Sequence, residues 1–157
     1  GSYGGVPVHF IQSSSSSYLW MPSGLGATGV EKQVEHLKDG FWADHHVAPP
    51  VVVVDTLRRD DCLVRGNVAW FGGKTVARVN ARLRSGEGRM PLAVDYLLIE
   101  RGSKSPLSVL LEYYSPRQVV LSASLSDYYR RRYAEESRRQ HLQVYDMQAE
   151  GALRVEL

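Results

Sequence analysis

Residues 60–102 read DDCLVRGNVAWFGGKTVARVNARLRSGEGRMPLAVDYLLIERG, and this stretch decides the fold. It holds three apolar runs rich in β-branched residues, at 62–71, 75–83 and 90–100. A Gly-Gly pair follows the first run and supplies the positive φ angles of a tight hairpin. Runs at this spacing predict a small, strongly bent antiparallel barrel.

The flanking sequence predicts two helices and several short strands. Val30, Val34 and Leu37 share one apolar face, which predicts a helix over residues 28–41. Ser124 stands where an N-cap belongs and predicts a second helix over residues 124–143. Further strands are predicted at residues 6–12, 18–21, 51–54, 108–114, 118–121 and 153–157.

These elements place the chain in the mainly β class with two helices, an α+β fold. An SH3-like bent barrel over about residues 51–122 is expected beside a small β/α subdomain of residues 6–42 and 123–157. Residues 6–157 then form one domain, and residues 1–5 are a tag or a disordered segment. The alternative fold is a pleckstrin-like or polo-box-like sheet capped by the second helix.

The composition is that of an ordinary globular domain. Of 157 residues, 43% are apolar and 23% are charged, and the net charge of +2 is too small for the whole-chain field to hold nucleic acid. The single Cys62 excludes an internal disulfide and fits a reducing compartment. Without a membrane-spanning run or a signal peptide, a cytoplasmic protein with no membrane contact is expected.

The sequence contains no recognisable catalytic constellation. Neither Cys62 nor the Ser13–Ser17 run has a histidine and a carboxylate at a spacing that would activate a nucleophile. His45-His46 lacks partners at ligand spacing, so no metal site is predicted. We therefore expect neither an enzyme nor a cofactor, and a small hydrolase is the disfavoured alternative.

Aromatic residues near the predicted barrel turns give the first candidate site. Trp70-Phe71 ends one strand just before the Gly-Gly turn, and Tyr96 follows Asp95 in another strand. Aromatic side chains on one rim can hold a cationic group by cation–π attraction. The predicted peptide-binding residues are therefore Trp70, Phe71, Asp95 and Tyr96, although hairpin packing also explains each aromatic taken alone.

A basic segment, YYRRRYAEESRRQ, gives the alternative site. It mixes tyrosines with five arginines, as RNA-binding segments do: Arg130, Arg131, Arg132, Arg138 and Arg139. RNA binding through this helix is the alternative function. A solvated helix face, partly neutralised by Glu135 and Glu136 at helical spacing, is the simpler explanation.

Several short motifs resemble those of extended Tudor domains. Residues 7–11 (PVHFI) and 16–20 (SSYLW) are similar to the opening hairpin of that family, and residues 28–41 are similar to its linking helix. Residues 60–64 (DDCLV) look like the beginning of the Tudor barrel. Ala77-Arg78-Val79 resembles the end of the W-Y-R-A-R-V motif, and Val94-Asp95-Tyr96 resembles the start of V-D-Y-G-N.

The resemblance, which covers residues 6–122, implies a non-catalytic protein–protein interaction module. Its implied partner is an Arg-containing peptide, such as the N-terminal tail of an Argonaute or Piwi protein, with RNA as a secondary partner. Its implied setting is an RNA-silencing or piRNA scaffold in a cytoplasmic, perinuclear or germ-type granule. Leu97, Leu98 and Ala93 stand at cage positions of the family, so weak or absent dimethylarginine selectivity is expected.

Overall fold

The computed structural model of the chain describes residues 8–13, 16–21, 51–53, 56–59, 62–86 and 90–153. The strands of this part are β1 (Val8–Ser13), β2 (Ser16–Trp20), β3 (Val51–Val53), β4 (Thr56–Arg58), β5 (Cys62–Arg65), β6 (Val68–Phe71), β7 (Lys74–Val79), β8 (Leu92–Ile99), β9 (Tyr114–Leu121) and β10 (Gln143–Asp146). Its helices are α1 (Leu107–Tyr113), α2 (Asp127–Arg139) and α3 (Met147–Glu150).

The strands form two sheets. The small sheet has the order β1-β2-β3, with β1 antiparallel and β3 parallel to β2. The large sheet has seven strands in the order β10-β9-β8-β7-β6-β5-β4. Its pairings from β4 to β7 are antiparallel, and its pairings from β7 to β10 are parallel. Strand β7 is therefore the boundary between a meander and a parallel half.

Two-residue turns build the meander. The turn between β6 and β7 uses Gly72 at φ 56° and Gly73 at φ 77°. Positive φ at both central positions is the requirement of a type I′ hairpin, which only Gly, Asn and Asp meet at low cost. The predicted Gly-Gly hairpin is thus confirmed.

Alternation along the strands creates two apolar clusters, one on each face of the large sheet. On one face, side chains of β7, β8 and β9 pack under α1 and α2, with Leu110 and Tyr133 fully buried among them. On the other face, Val64, Ala69 and Phe71 pack around Trp20 of β2, which joins the small sheet to the large one. Burial of each such aliphatic side chain stabilises the fold by about 1.5–3 kcal/mol relative to leaving it exposed.

Helix α2 has strong signals at both ends. The Ser126 side chain caps it by accepting from the Tyr129 amide at 3.4 Å, with Asp127 in the first turn. Arg138 and Arg139 lie in the last turn, where cations favour the negative end of the helix dipole. The second predicted helix is confirmed, but the predicted N-cap is wrong: the cap is Ser126 and not Ser124, and the helix spans Asp127–Arg139.

The coarse fold class is confirmed: the chain is mainly β with short helices, an α+β fold. The SH3-like Tudor barrel is not confirmed, because the strands follow one another in an open sheet whose edges are β4 and β10. An all-antiparallel arrangement was the wrong expectation, because β7, β8 and β9 pair in parallel. The proposed domain boundaries stay a prediction; α2 and β10 lie on the same sheet as β9.

Individual elements also differ from expectation. The opening hairpin is confirmed as β1 and β2. The strand expected at 108–114 is helix α1, whose Leu107 and Leu110 turn inward at helical spacing. The single strand expected at 62–71 is a hairpin that turns at residues 66–67. The helix expected at 28–41 lies outside the described residues, as does most of the strand expected at 153–157.

Candidate functional site

The parallel half of the sheet brings three chain segments to one edge. Strands β7, β8 and β9 run in the same direction, so the segments that follow them meet at their carboxyl ends. We call these segments edge loop 1 (residues 80–83), edge loop 2 (residues 100–106) and edge loop 3 (residues 122–126), and together the carboxyl edge. In open sheets with parallel strands, ligands bind in the crevice outside these ends.

Serine side chains fasten the three loops to one another. Ser105 Oγ of edge loop 2 donates to the Leu83 carbonyl at 2.8 Å and accepts from the Leu83 amide at 2.7 Å. On the other side, Ser124 Oγ of edge loop 3 accepts from the Arg101 amide at 3.0 Å. Ser122 Oγ lies 2.9 Å from Ser124 Oγ and supports it. Side-chain hydrogen bonds therefore link edge loop 1 to edge loop 2 and edge loop 2 to edge loop 3.

Edge loops 1 and 2 approach so closely that Gly102 has no room for a side chain. Gly102 has φ 100°, a value that disfavours other residues. A Cβ added there would overlap the carbonyl group of Asn80. The glycine thus fixes how near the end of β7 lies to the turn after β8.

Tyr133 of α2 anchors edge loop 2 from below. Its hydroxyl donates to the Ser105 carbonyl at 2.6 Å, and Ser103 Oγ lies 2.8 Å away. All three residues are buried. Desolvation on burial raises the pKa of the Tyr133 hydroxyl above its ordinary value of 10.0.

A buried ion pair lies at the carboxyl edge on the face of the sheet opposite to α2, next to Trp20. Arg78 Nε lies 2.7 Å from Glu100 Oε1, and the second nitrogen, Nη2, donates to Glu100 Oε2 at 2.8 Å. The guanidinium also donates to the Trp20 carbonyl at 3.1 Å and lies 4.6 Å from the centre of the Trp20 ring. Both charged side chains are fully buried, so the Glu100 carboxylate is neutralised and withdrawn from solvent.

The other acids at this edge are paired with Arg130. Asp127 follows edge loop 3, and Asp146 ends β10, which is parallel to β9. Arg130 forms an ion pair with Asp127 and a second one with Asp146 at 3.4 Å. Its side chain is only 15% exposed, so its charge serves these two acids.

Exposed cations remain. Arg82 of edge loop 1 and Arg101 and Lys104 of edge loop 2 are exposed, and none has an ion pair among the described residues. With its carboxylates paired, the described surface of the carboxyl edge is positive. These three residues were not among the predicted site residues, because their proximity depends on parallel pairing of distant strands. The sequence signal that could have found them is the basic and serine residues directly after apolar runs, at residues 81–83 (ARL) and 100–105 (ERGSKS).

The predicted peptide-binding residues do not share one face. Phe71 is buried in the cluster around Trp20, whereas its neighbour Trp70 points to the opposite face and is half-buried. Asp95 Oδ2 accepts from the Thr75 amide at 2.8 Å. Tyr96, adjacent to Asp95 on β8, is half-buried on the face opposite to Asp95.

Ion pairs also engage most of the predicted nucleic-acid-binding arginines. Besides Arg130, Arg132 pairs with Glu136 at 3.1 Å and Arg139 pairs with Glu135 at 2.6 Å. Only Arg131 and Arg138 of this set are exposed without an ion pair among the described residues.

The family of the chain follows from a comparison over almost its full length. The family model named ComEC C-terminal domain matches residues 5–157. The chain belongs to the ComEC C-terminal domain family. No curated protein and no solved structure matches the chain. ComEC is a membrane protein of competence, the uptake of DNA by cells.

Membership of the ComEC family overturns the Tudor resemblance. The predicted function, Tudor-type binding of an Arg-containing peptide in RNA silencing or the piRNA pathway, is wrong, because the family is one of DNA uptake. Argonaute or Piwi partners and the absence of membrane contact are likewise wrong, since ComEC handles DNA at a membrane channel. The predicted granule localisation is wrong for the same reason. Within the described ranges, no helix combines the length and apolarity that a membrane crossing requires.

Proposed function

We propose that this domain is a non-catalytic module that contacts DNA in a DNA-uptake protein, with the sugar-phosphate backbone lying along the carboxyl edge. Membership of the ComEC family supports DNA as the ligand. The observation that carries the proposal is the charge separation at the carboxyl edge. Glu100 forms an ion pair with Arg78, and Asp127 and Asp146 form ion pairs with Arg130. The cations Arg82, Arg101 and Lys104 are exposed.

This arrangement suits phosphates better than bases. Lysine and arginine side chains on a fixed backbone layer neutralise phosphates and release condensed counterions, which supplies affinity without reading sequence. The serine hydrogen bonds between the loops keep the three cations from moving apart. Binding should therefore be nearly independent of sequence and strongly dependent on salt.

Binding, rather than metal-dependent cleavage, is the role that we propose for the carboxyl edge. In some members this domain is a metallo-β-lactamase-like region. Among the residues that the structure describes here, no group of three or more His, Cys, Asp or Glu side chains could hold a metal ion. The acid nearest the turn after β8, Glu100, is bound to Arg78 instead. These observations support binding as the role of the carboxyl edge.

Fluorescence anisotropy of a labelled single-stranded 20-mer tests the proposal. With three phosphate contacts, affinity for a single strand should fall about 20-fold between 50 and 200 mM salt, from a slope of about −0.7 per contact. Arg101→Ala/Lys104→Ala should weaken binding and make the salt slope about two contacts shallower. Arg58→Ala/Arg138→Ala removes the same charge from exposed positions at the opposite end of the sheet, neither of which has an ion pair among the described residues, and should leave binding close to wild type.

Equal weakening by both double variants would mean that net charge, and not the carboxyl edge, attracts DNA. Unchanged binding by Arg101→Ala/Lys104→Ala would remove these residues from the interface. Either result would overturn the proposed function.

A further inference from the structure

An exposed tyrosine stands at the start of α2. Tyr128 is 66% exposed, whereas Tyr129 is half-buried and Tyr133 is fully buried in the core under α2. The exposed ring is not needed for the packing of the helix. An exposed aromatic side chain beside a positive surface is the combination that binds single-stranded nucleic acids, whose bases stack on the ring.

Tyr128 lies next to the carboxyl edge. It occupies the first turn of α2, directly after edge loop 3. It is one turn before Arg132 and two turns before Glu136, so the three residues form one stripe along the helix. Glu136 Oε2 accepts from the amide of Leu107, the residue that follows edge loop 2. The stripe therefore runs beside edge loop 2, which carries Arg101 and Lys104.

The ring of Tyr128 is held in place. It contacts the ring of Tyr129 edge to face, with centroids 5.1 Å apart and planes at 83°. Tyr129 in turn stacks on Tyr133, at 6.2 Å. The hydrogen bond that Arg132 donates to Glu136 raises the pKa of Arg132, and Tyr128 adds to the same effect, so a charged guanidinium is close to the ring. A supported ring loses little freedom when it binds a flat partner.

We propose that Tyr128 stacks on an unpaired base of single-stranded DNA whose phosphates lie along the carboxyl edge; this inference rests on the proposed function. Phosphates are common to single and double strands, so the three cations alone do not distinguish between them. An exposed aromatic ring does distinguish them, because only an unpaired base offers its face for stacking. Tyr128 thereby selects single strands and tolerates any base, since every base has such a face.

Three labelled ligands and two variants test this inference with the 157-residue chain. The ligands are a thymine 20-mer, an abasic strand of the same length and a duplex of the same length. Tyr128→Ala should weaken binding of the thymine strand about tenfold, the usual size of a lost base–aromatic stack. It should change binding of the abasic strand and of the duplex by less than twofold, because neither presents an unpaired base. Tyr128→Phe keeps the ring face and should bind all three ligands as the wild type does.

The results separate this inference from the proposed function. If Tyr128→Ala binds the thymine strand as the wild type does while Arg101→Ala/Lys104→Ala binds it weakly, Tyr128 does not stack and the carboxyl edge still binds DNA. If Tyr128→Ala weakens all three ligands equally, the residue acts through fold or charge, and the inference is also overturned. If Arg101→Ala/Lys104→Ala has no effect on any ligand, the proposed function itself fails. A thermal melt of Tyr128→Ala, expected within about 2 °C of the wild type, serves as the folding control.

Discussion

Replacing Glu100 with leucine should be among the most damaging single changes in this domain. Its carboxylate pairs with Arg78 through two contacts of 2.7 and 2.8 Å, and both side chains are fully buried. Glu100→Leu removes the carboxylate that neutralises this buried guanidinium, while the contacts of the guanidinium with the Trp20 carbonyl and ring stay. Removing one partner of a buried ion pair costs about 3–5 kcal/mol. Domains of this size are stable by about 5–15 kcal/mol, so the loss is a large part of the total.

Urea denaturation followed by tryptophan fluorescence measures this effect. With a slope of about 2 kcal/mol per M urea, a loss of 4 kcal/mol lowers the midpoint by about 2 M. Arg78→Met should cost a similar amount, because it removes the guanidinium that neutralises the buried Glu100 carboxylate.

The double variant Arg78→Met/Glu100→Leu completes the cycle. It removes both charges together and replaces them with apolar groups, so it should be more stable than either single variant. It still leaves the Trp20 carbonyl without the Arg78 donor, at a cost of about 1–3 kcal/mol. A loss of less than about 1 kcal/mol for Glu100→Leu, or single effects that simply add, would refute the assignment of this pair as a coupled buried unit.

Three further predictions concern the carboxyl edge and the helix beneath it. Gly102→Ala should lower the free energy of unfolding by about 2–5 kcal/mol, because Gly102 has φ 100° and an added Cβ would overlap Asn80. Gly73→Ala is the control: Gly73 has φ 77° but open space around it, so the loss should be only about 1 kcal/mol. Equal losses of the two variants in urea titrations would contradict the close approach of Gly102 to Asn80. The Tyr133 hydroxyl has a pKa of 10.0 in the unfolded chain, and burial raises this pKa in the fold, so wild-type stability should fall as the pH rises above about 10. Tyr133→Phe should be less stable than the wild type at pH 7 but should lose less stability between pH 10 and 11. Parallel curves of melting temperature against pH for the two proteins would exclude this contribution of Tyr133. Ser126→Ala removes the N-cap of α2 and should cost about 1 kcal/mol, measured by thermal denaturation, with the exposed Ser108→Ala expected to have a smaller effect.

Local signals in the sequence predicted the local elements. The Gly72-Gly73 turn and helix α2 depend on neighbouring residues, namely two glycines that adopt positive φ and a serine cap before an acidic first turn. Helix α1 was mistaken for a strand because SVLLEYY is rich in residues that favour strands. Packing of Leu107 and Leu110 against the sheet decides its conformation.

The candidate site was beyond local signals. Arg82 and Arg101 come together only because β7 and β8 are parallel, and an antiparallel pairing would place their loops at opposite edges. The position of Arg130 also depends on the fold. The basic segment around it suggested nucleic-acid binding, but Arg130 pairs with Asp127 of α2 and with Asp146 at the end of β10. Five arginines in one segment indicated a binding face, but three of them form ion pairs, mostly with acids of the same helix at the spacing that Glu135 and Glu136 have in the sequence.

The division of the large sheet at β7 also sets the order in which the molecule assembles. Turns of two residues close β5-β6 and β6-β7, whereas β8, β9 and β10 reach their neighbours only across the crossovers 80–91, 100–113 and 122–142. Closing a short loop costs less chain entropy, and folding slows as the mean sequence separation of contacts rises. We therefore expect the meander to form first and the later strands to dock on it in turn. The carboxyl edge forms only after this docking, so a nascent or partly unfolded chain would lack the surface that we propose binds DNA.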